Sequence, residues 1–459
     1  MPMSRRTRLI RSCAAGIAAL LASAAYAAEP LPTVIVDIHA IGSARLTELK
    51  AHSSVRWSAE FGTELLLGVD PASELDWLAQ PGTRAGLGPL AREEIWIRDH
   101  VCVHQSAQPA LGVVGGFELL RMPPAAIRYS QRAGLVGTAL PADGVITREI
   151  ANSDTPKAAR GADPQVQAIV DQIDSERWFQ TMSLLAAFNR NSYSPTLGSA
   201  RDWILSAFEG AQLATSVFPF TMTNVSGCAG SPAINIDNPI GTKLGSSLPD
   251  EWIVVGAHYD SRNSVRCDGV ANPQPGANDN ASGCAGVVEL ARAFATVPTQ
   301  RSILFMCFSG EEQGLVGSQR YVASLTASGD IARVKHMINL DMIGFDAGGT
   351  LDAQIVSSRP ELLTQYAAAA ATYAPELNVI SGSNTAANTD YWYFQAAGVP
   401  SIFTWENGVG GYVHYHQSTD VPANMARARE LAGGILKMDA AMLAGVAGLP
   451  PPLFADGFE

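Results

Sequence analysis

Charge is scarce in this sequence. Only 16% of its 459 residues are charged and 47% are hydrophobic, which excludes an intrinsically disordered chain and provides for a large buried core in two or three domains. The basic sign is the scarcer one, with 31 Lys and Arg against 43 Asp and Glu. With no basic stripe, the chain repels nucleic acid and anionic membranes. No GxSxG elbow, CxxC pair, phosphate-cradling GxxxxGK[ST] loop or internal repeat is found, so none of those motifs supplies the chemistry. Cysteine is sparse as well. Cys13 lies in the leader, and Cys102, Cys228, Cys267, Cys284 and Cys307 are an odd number, so at least one is unpaired or bonded elsewhere. Cys307 sits in the apolar run SILFMCF and Cys284 on the apolar side of a predicted helix. Both read as small core residues and not as metal ligands. In an oxidising compartment Cys228 with Cys267 is the expected bridge.

Residues 1–27 read as an export signal. Arg5, Arg6, Arg8 and Arg11 precede an apolar run from Ala14 to Leu21, and Ala25-Tyr26-Ala27 supplies small residues for cleavage. The run is too short for a membrane anchor. Ser4-Arg5-Arg6 begins like a twin-arginine signal, but Arg8 stands where a large apolar residue is expected. Removing the four arginines leaves 27 basic against 43 acidic residues, a net charge near −16. The expected location is exported, periplasmic or secreted.

Residues 28–152 carry runs such as TVIVDI, TELLLGV and EIWI broken by Pro and Gly, the pattern of a smaller β-rich or mixed N-terminal domain, accessory or a propeptide. Residues 153–164, SDTPKAARGADP, read as a linker whose Lys157 and Arg160 offer a site for proteolysis. From 165 to 448 strands alternate with helices. Helical periodicity spans 166–189, 197–210, 283–297, 314–325, 360–373 and 423–445, while WIVVGA, SILFMCF, HMINL and SIFTW read as buried strands. The expected fold is α/β, a mostly parallel central sheet with helices on both faces. Residues 449–459 form a tail, and its ending FADGFE resembles tails of other exported bacterial proteins.

Ligands of such sheets sit at the carboxyl ends of the strands. There the chain places His258 in GAHYDS, Glu311 and Glu312 in FSGEEQG and Asp341 in NLDMIG, with Asp279 in GANDNASG and His416 in YHQSTD completing the set. Each has an ordinary structural explanation: a hydrogen-bonded core histidine, a turn former or helix N-cap at Asp279, a solvated Glu311–Glu312 pair, a strand-end cap at Asp341. Their joint occurrence at one rim outweighs these. Two imidazoles and several carboxylates form a hard N/O donor set suited to paired zinc ions. Glu311 and Glu312 would point apart in an extended strand, but on a strand-to-helix turn both can face the rim.

The strings VVGAHYDS, GANDNASG, FSGEEQGLVGS, NLDMIG, TDYWYFQAAGVPSI and YHQSTD resemble, in order and spacing, the M28 family of dizinc aminopeptidases, of the secreted leucyl-aminopeptidase-like kind. The resemblance implies a zinc-exopeptidase fold, two Zn2+ ions and peptide substrates. It makes Asp279 the bridging carboxylate, His258 and Asp341 the further ligands of one ion, Glu312 and His416 those of the other, and Glu311 the base. It also implies a cis peptide at Asp279–Asn280. Asp260, two residues after His258, could accept the free ring N–H. Asp420 keeps the HxxxD spacing from His416, which selects His416 over His414 as the ligand, and Asp390 supports the site. Some relatives carry a Tyr and flanking cysteines where this chain has SNTAANTD, so the group that polarises the substrate carbonyl is unassigned among Tyr391, Tyr412 and Tyr415.

The leading expectation is an exported metalloaminopeptidase. Glutaminyl cyclisation with one zinc, performed by a similar fold, and a noncatalytic binding module are the alternatives. Retention of every ligand and of the base argues against both. The preferred N-terminal residue and the oligomeric state are not specified by the sequence.

Overall fold

The computed structural model describes residues 29–450, apart from 42–44, 63, 81, 100–109, 115–116, 124–137, 141–143, 150–160, 224, 226–227, 229, 271–272, 347–349, 383–388 and 408–411. The expected leader, most of the expected linker, nearly all of the tail and the SNTAAN stretch lie outside the described residues.

Eight strands organise the region after residue 164: β1 Ala214–Met222, β2 Ile234–Lys243, β3 Leu248–His258, β4 Arg301–Phe308, β5 Val334–Leu340, β6 Leu351–Val356, β7 Leu377–Gly382 and β8 Ser401–Glu406. Their order is β1-β2-β4-β3-β5-β8-β6-β7. The four middle strands β4, β3, β5 and β8 run parallel, as do β6 and β7, whereas β1, β2 and the β6–β8 seam are antiparallel. The expected strands form this parallel centre. The antiparallel margin has no strong sequence signal, because β1 is mostly exposed and carries Pro219.

The centre is covered on both faces. Within β3, Ile253 and Val255 join a core with helices α1 Pro164–Val170, α2 Ser175–Ala186, α3 Leu197–Gly210 and α4 Gly283–Phe294. Val254 points the other way, to Tyr321, Val322 and Leu325 of α5 Val316–Ser328. The period-two alternation of a pleated strand thus feeds two apolar layers. On the α4 side the layer is closed by α6 Pro360–Tyr373 and α8 Ala428–Ala447, and on the α5 side by the short α7 Tyr391–Ala396.

Two expectations on helices are corrected. The segment 166–189 is two helices and not one, because Asp174 caps the start of α2 by accepting from the Glu176 and Arg177 amides. The linker ends earlier than 164, since Asp163 caps α1 and Pro164 occupies its first turn.

The sheet continues past β7. Strand Val145–Glu149 pairs antiparallel with β7 and parallel with Val55–Gly62, followed by Glu64–Val69, Leu31–Asp37 and Thr83–Leu90. A second, four-stranded sheet covers this N-terminal part. Cys228 pairs with Cys267 as expected, and Cys284 pairs with Cys307, so the two core cysteines are also a bridge. Among the described residues no helix is long and apolar enough to cross a membrane.

Candidate metal centre

Strand register brings the expected residues to one level. His258 stands opposite Phe308 of β4, and Gly256 opposite Asn339 of β5, so His258, the turn after β4 and Asp341 reach the same rim. After Phe308 the chain turns at Gly310, whose φ of +70° favours glycine, and this turn presents both Glu311 and Glu312 to the site. The bridging candidate Asp279 lies just before α4 in a segment with a cis peptide at Asp279–Asn280, as expected. The Asn280 side chain fixes that segment: its Oδ1 accepts from the Gly283 and Met342 amides, and its Nδ2 donates to Leu340 O at 3.0 Å. Gly283 is required there, since a Cβ would lie 2.4 Å from Leu340 O. His416 is held at φ +54° and Met342, beside Asp341, also at φ +54°, left-handed conformations that non-glycine residues adopt only where their surroundings impose them.

All six side chains converge. Asp279 lies between the two histidines, with His258 Nε2 3.2 Å from its Oδ1 and His416 Nε2 3.0 Å from its Oδ2. His258 Nε2 is also 3.3 Å from Asp341 Oδ1, and His416 Nε2 is 3.3 Å from Glu312 Oε2. Two clusters therefore arise, His258 with Asp341 and Glu311, and His416 with Glu312 and Asp279, and Asp279 reaches both through its separate oxygens. His414, the competing imidazole, is half-buried and contacts Thr419 instead.

This donor set fits divalent cations. His258 Nδ1 sits 3.0 Å from the carbonyl of Asp260, which only accepts, so the ring proton is on Nδ1 and Nε2 presents a lone pair. Both imidazole Nε2 atoms, both oxygens of Asp279 and of Glu312, and Asp341 Oδ1 are buried without a hydrogen-bond partner. Lone pairs facing one another at 3.0–3.3 Å in a buried pocket repel unless positive charge lies between them. Zinc suits such mixed imidazole and carboxylate donors.

The surrounding groups hold the donors in place. It is the carbonyl of Asp260, and not its carboxylate, that meets the His258 ring; Oδ1 is 3.6 Å away. The carboxylate accepts from the Ser192 hydroxyl and from the amides of Glu311 and Glu312, so it pins the glutamate turn. Asp420 accepts from the Asn278 and Asp279 amides at 2.9 and 3.0 Å and from the Tyr412 hydroxyl at 2.5 Å. Asp390 is buried beside the His258–Asp341 cluster, where burial pushes its carboxyl up to about 7. Burial likewise raises Asp420 to about 7 and puts Glu311 well above the ordinary carboxylate range, the His258 charge opposing and the Glu312, Asp390 and Asp341 charges adding. For His258 burial works downward, but the Asp341 and Glu311 charges prevail and its proton affinity is raised well above that of an ordinary imidazole.

Several further residues support the site. Thr389 donates to Asp341 Oδ2 at 2.6 Å and is itself held by Asn339. Buried Glu406 accepts from Asn278 Nδ2 at 2.8 Å and from the Phe345 amide. Arg262 places Nε 3.8 Å from Glu312 Oε2, and Arg266 donates to the Glu312 carbonyl. Of the three tyrosines, Tyr391 is packed against Phe403, Tyr412 is committed to Asp420, and Tyr415 stacks on His416 with ring centroids 3.7 Å apart.

Residues 238–433 match peptidase family M28. The chain carries an M28 domain. Among curated relatives, a Pyrenophora teres f. teres (strain 0-1) protein named "Probable zinc metalloprotease" is 36% identical over 196 residues, 40% of this chain and 41% of that protein. A "Probable leucine aminopeptidase" of Arthroderma otae is 26% identical over 301 residues, 61% of this chain and 75% of that protein. The chain thus spans about two fifths of the length of the zinc metalloproteases it matches. Among solved structures, the aminopeptidase from Aneurinibacillus sp. strain AM-1 superposes with a TM-score of 0.52 at 19% identity, covering 64% of this chain and 98% of that one. The LapA aminopeptidase of Legionella pneumophila does so with a TM-score of 0.52 at 18% identity, covering 78% and 99%. At these identities they establish the fold of the M28 domain.

Proposed function

We propose that the protein is an exported dizinc aminopeptidase that hydrolyses the N-terminal peptide bond of peptides. The observation that carries this reading is the placement of Asp279 between two imidazoles, each facing a different oxygen of the one carboxylate. In the proposed arrangement Asp279 is shared, His258 and Asp341 complete one zinc site, and Glu312 and His416 complete the other. Bound zinc supplies Lewis acidity to a water and to the scissile carbonyl.

The remaining steps belong to the chain. Glu311, buried and with a strengthened hold on protons, takes the proton of the attacking water and returns it to the leaving amine. Asp260 keeps Glu311 and Glu312 aimed through their amides, while Asp420 and Asn280 fix the Asp279 segment. Carboxylates near the site hold the substrate ammonium. Export follows from the arginine-led apolar leader in residues 1–27.

The test uses the purified full chain and aminoacyl anilides. Activity should vanish with a chelator and return with added zinc, at two zinc ions per chain. A protein that binds no zinc, or hydrolyses these substrates equally well when stripped, would remove the proposal. Formation of pyroglutamate from a peptide beginning with Gln, without hydrolysis, would replace it with cyclisation.

A further inference from the structure

Arg190 lies between α2 and α3 with a relative exposure of 0%. Its acceptors are four backbone carbonyls. Nε donates to Tyr259 O at 2.7 Å, one terminal nitrogen to Leu185 O at 2.5 Å and Pro275 O at 2.8 Å, and the other to Gly276 O at 2.8 Å. The backbone answers in turn, since the Arg190 carbonyl accepts from the Ser261 amide at 3.1 Å.

The location of these carbonyls gives the contacts their meaning. Tyr259 follows His258 directly. Pro275 and Gly276 precede Asp279 by four and three residues, and Gly276 has φ +45° with no room for a Cβ, which would lie 2.2 Å from Asp279 O. One planar guanidinium therefore ties the chain leaving β3 to the chain entering the bridging aspartate, and anchors both to the end of α2. The charges of Asp420, Asp260, Asp279 and Glu312 all act on it, so it lies within electrostatic reach of the carboxylates of the same centre. Only an arginine offers donors in a rigid fork that can meet four acceptors; a lysine ammonium has three and no fixed plane.

We propose that Arg190 is a positioning residue of the metal centre, setting the separation of His258 and Asp279 without touching cation or substrate. The proposal rests on the two-zinc reading above. It assigns a metal-dependent role to a residue that no motif marks and that would otherwise pass for a core arginine.

The test compares wild type with Arg190→Lys, which keeps the charge and loses the fork, and with Ile204→Ala, a core truncation in α3, as a control for general destabilisation. Three quantities are read: zinc affinity by competition with a chromogenic chelator, the urea midpoint with and without zinc, and kcat and KM separately. In Arg190→Lys zinc affinity should fall about 10–100-fold, the usual effect of disturbing groups that orient ligands. Its zinc-induced midpoint shift should shrink, and kcat should fall more than KM changes, with partial recovery in excess zinc. Ile204→Ala should lower both midpoints together and keep zinc affinity. Wild-type zinc affinity in Arg190→Lys, equal losses of midpoint with and without zinc, or loss of the fold in both conditions would each assign Arg190 to the general core and overturn the proposal. Failure of the wild type itself to take up zinc would count instead against the two-zinc reading.

Discussion

Asp439 is a buried acid that the proposed chemistry does not use, and it yields a sharp expectation. It lies on α8 with 0% exposure, accepts from the Thr404 hydroxyl at 2.9 Å through Oδ2, and leaves Oδ1 without a hydrogen-bond partner. Burial pushes its carboxyl up to about 8 from an ordinary 3.8, the Thr404 bond opposing weakly. Because the folded value is the higher one, the folded state holds a proton that the unfolded chain has released. Stability from this group is therefore complete below about 3.8 and is lost as pH rises towards 8. At pH 7 the cost is about 4 kcal/mol, at roughly 1.4 kcal/mol per unit. Asp439→Asn removes the titration and keeps the Thr404 contact, but buries a second amide hydrogen at a cost of about 1–3 kcal/mol. Urea unfolding should find the two proteins about equal near pH 5 and the variant ahead by about 2–4 kcal/mol near pH 8. An offset that is the same at both pH values would refute the reasoning.

Other substitutions probe the remaining links. Glu311→Gln should lower kcat by roughly 10²–10⁴-fold while zinc content stays at the wild-type level; wild-type turnover would remove Glu311 as the base. Thr389→Val takes away the hydroxyl bonded to Asp341, and zinc affinity by chelator competition should drop about 10–100-fold. Replacing Cys284 and Cys307 together by serine opens a bridge of sequence separation 23, for which urea unfolding should register a loss of about 3 kcal/mol. Phe305→Ala empties a fully buried position in β4 and should cost about 3–5 kcal/mol in the same assay, with a cooperative transition retained.

What could be read in advance follows physical lines. The strands WIVVGA, SILFMCF, HMINL and SIFTW announce themselves because both faces are buried, so apolar residues run without a break. His258, Asp279, Glu311, Glu312, Asp341 and His416 stand out because each sits in a short string of turn-forming residues, with His258, Glu311, Glu312 and Asp341 at strand ends where side chains reach the rim. Glu406 and Arg190 do not, and Thr389, although it opens TDYWYFQAAGVPSI, has nothing in that string to mark it as the partner of Asp341. Each acts through hydrogen bonds with groups contributed by remote segments, and the residue's own neighbours in sequence carry no trace of them. Pairing of Cys284 with Cys307 was equally hidden, since apolar neighbours explain both residues without a bond. Asp260 is the residue that meets the His258 ring, but through its carbonyl, because two-residue spacing cannot tell a side-chain acceptor from the carbonyl of the same residue.

The ladder between Val145–Glu149 and β7 bears on any attempt to trim the polypeptide. A nick within residues 153–160 severs one covalent link but leaves the main-chain ladder intact, so the upstream fragment should co-purify with the remainder until denaturant is added. Expressing the downstream portion alone would instead bare the amides and carbonyls of Leu377–Gly382 to solvent and to other molecules, an open border of the kind that recruits stray strands into aggregates.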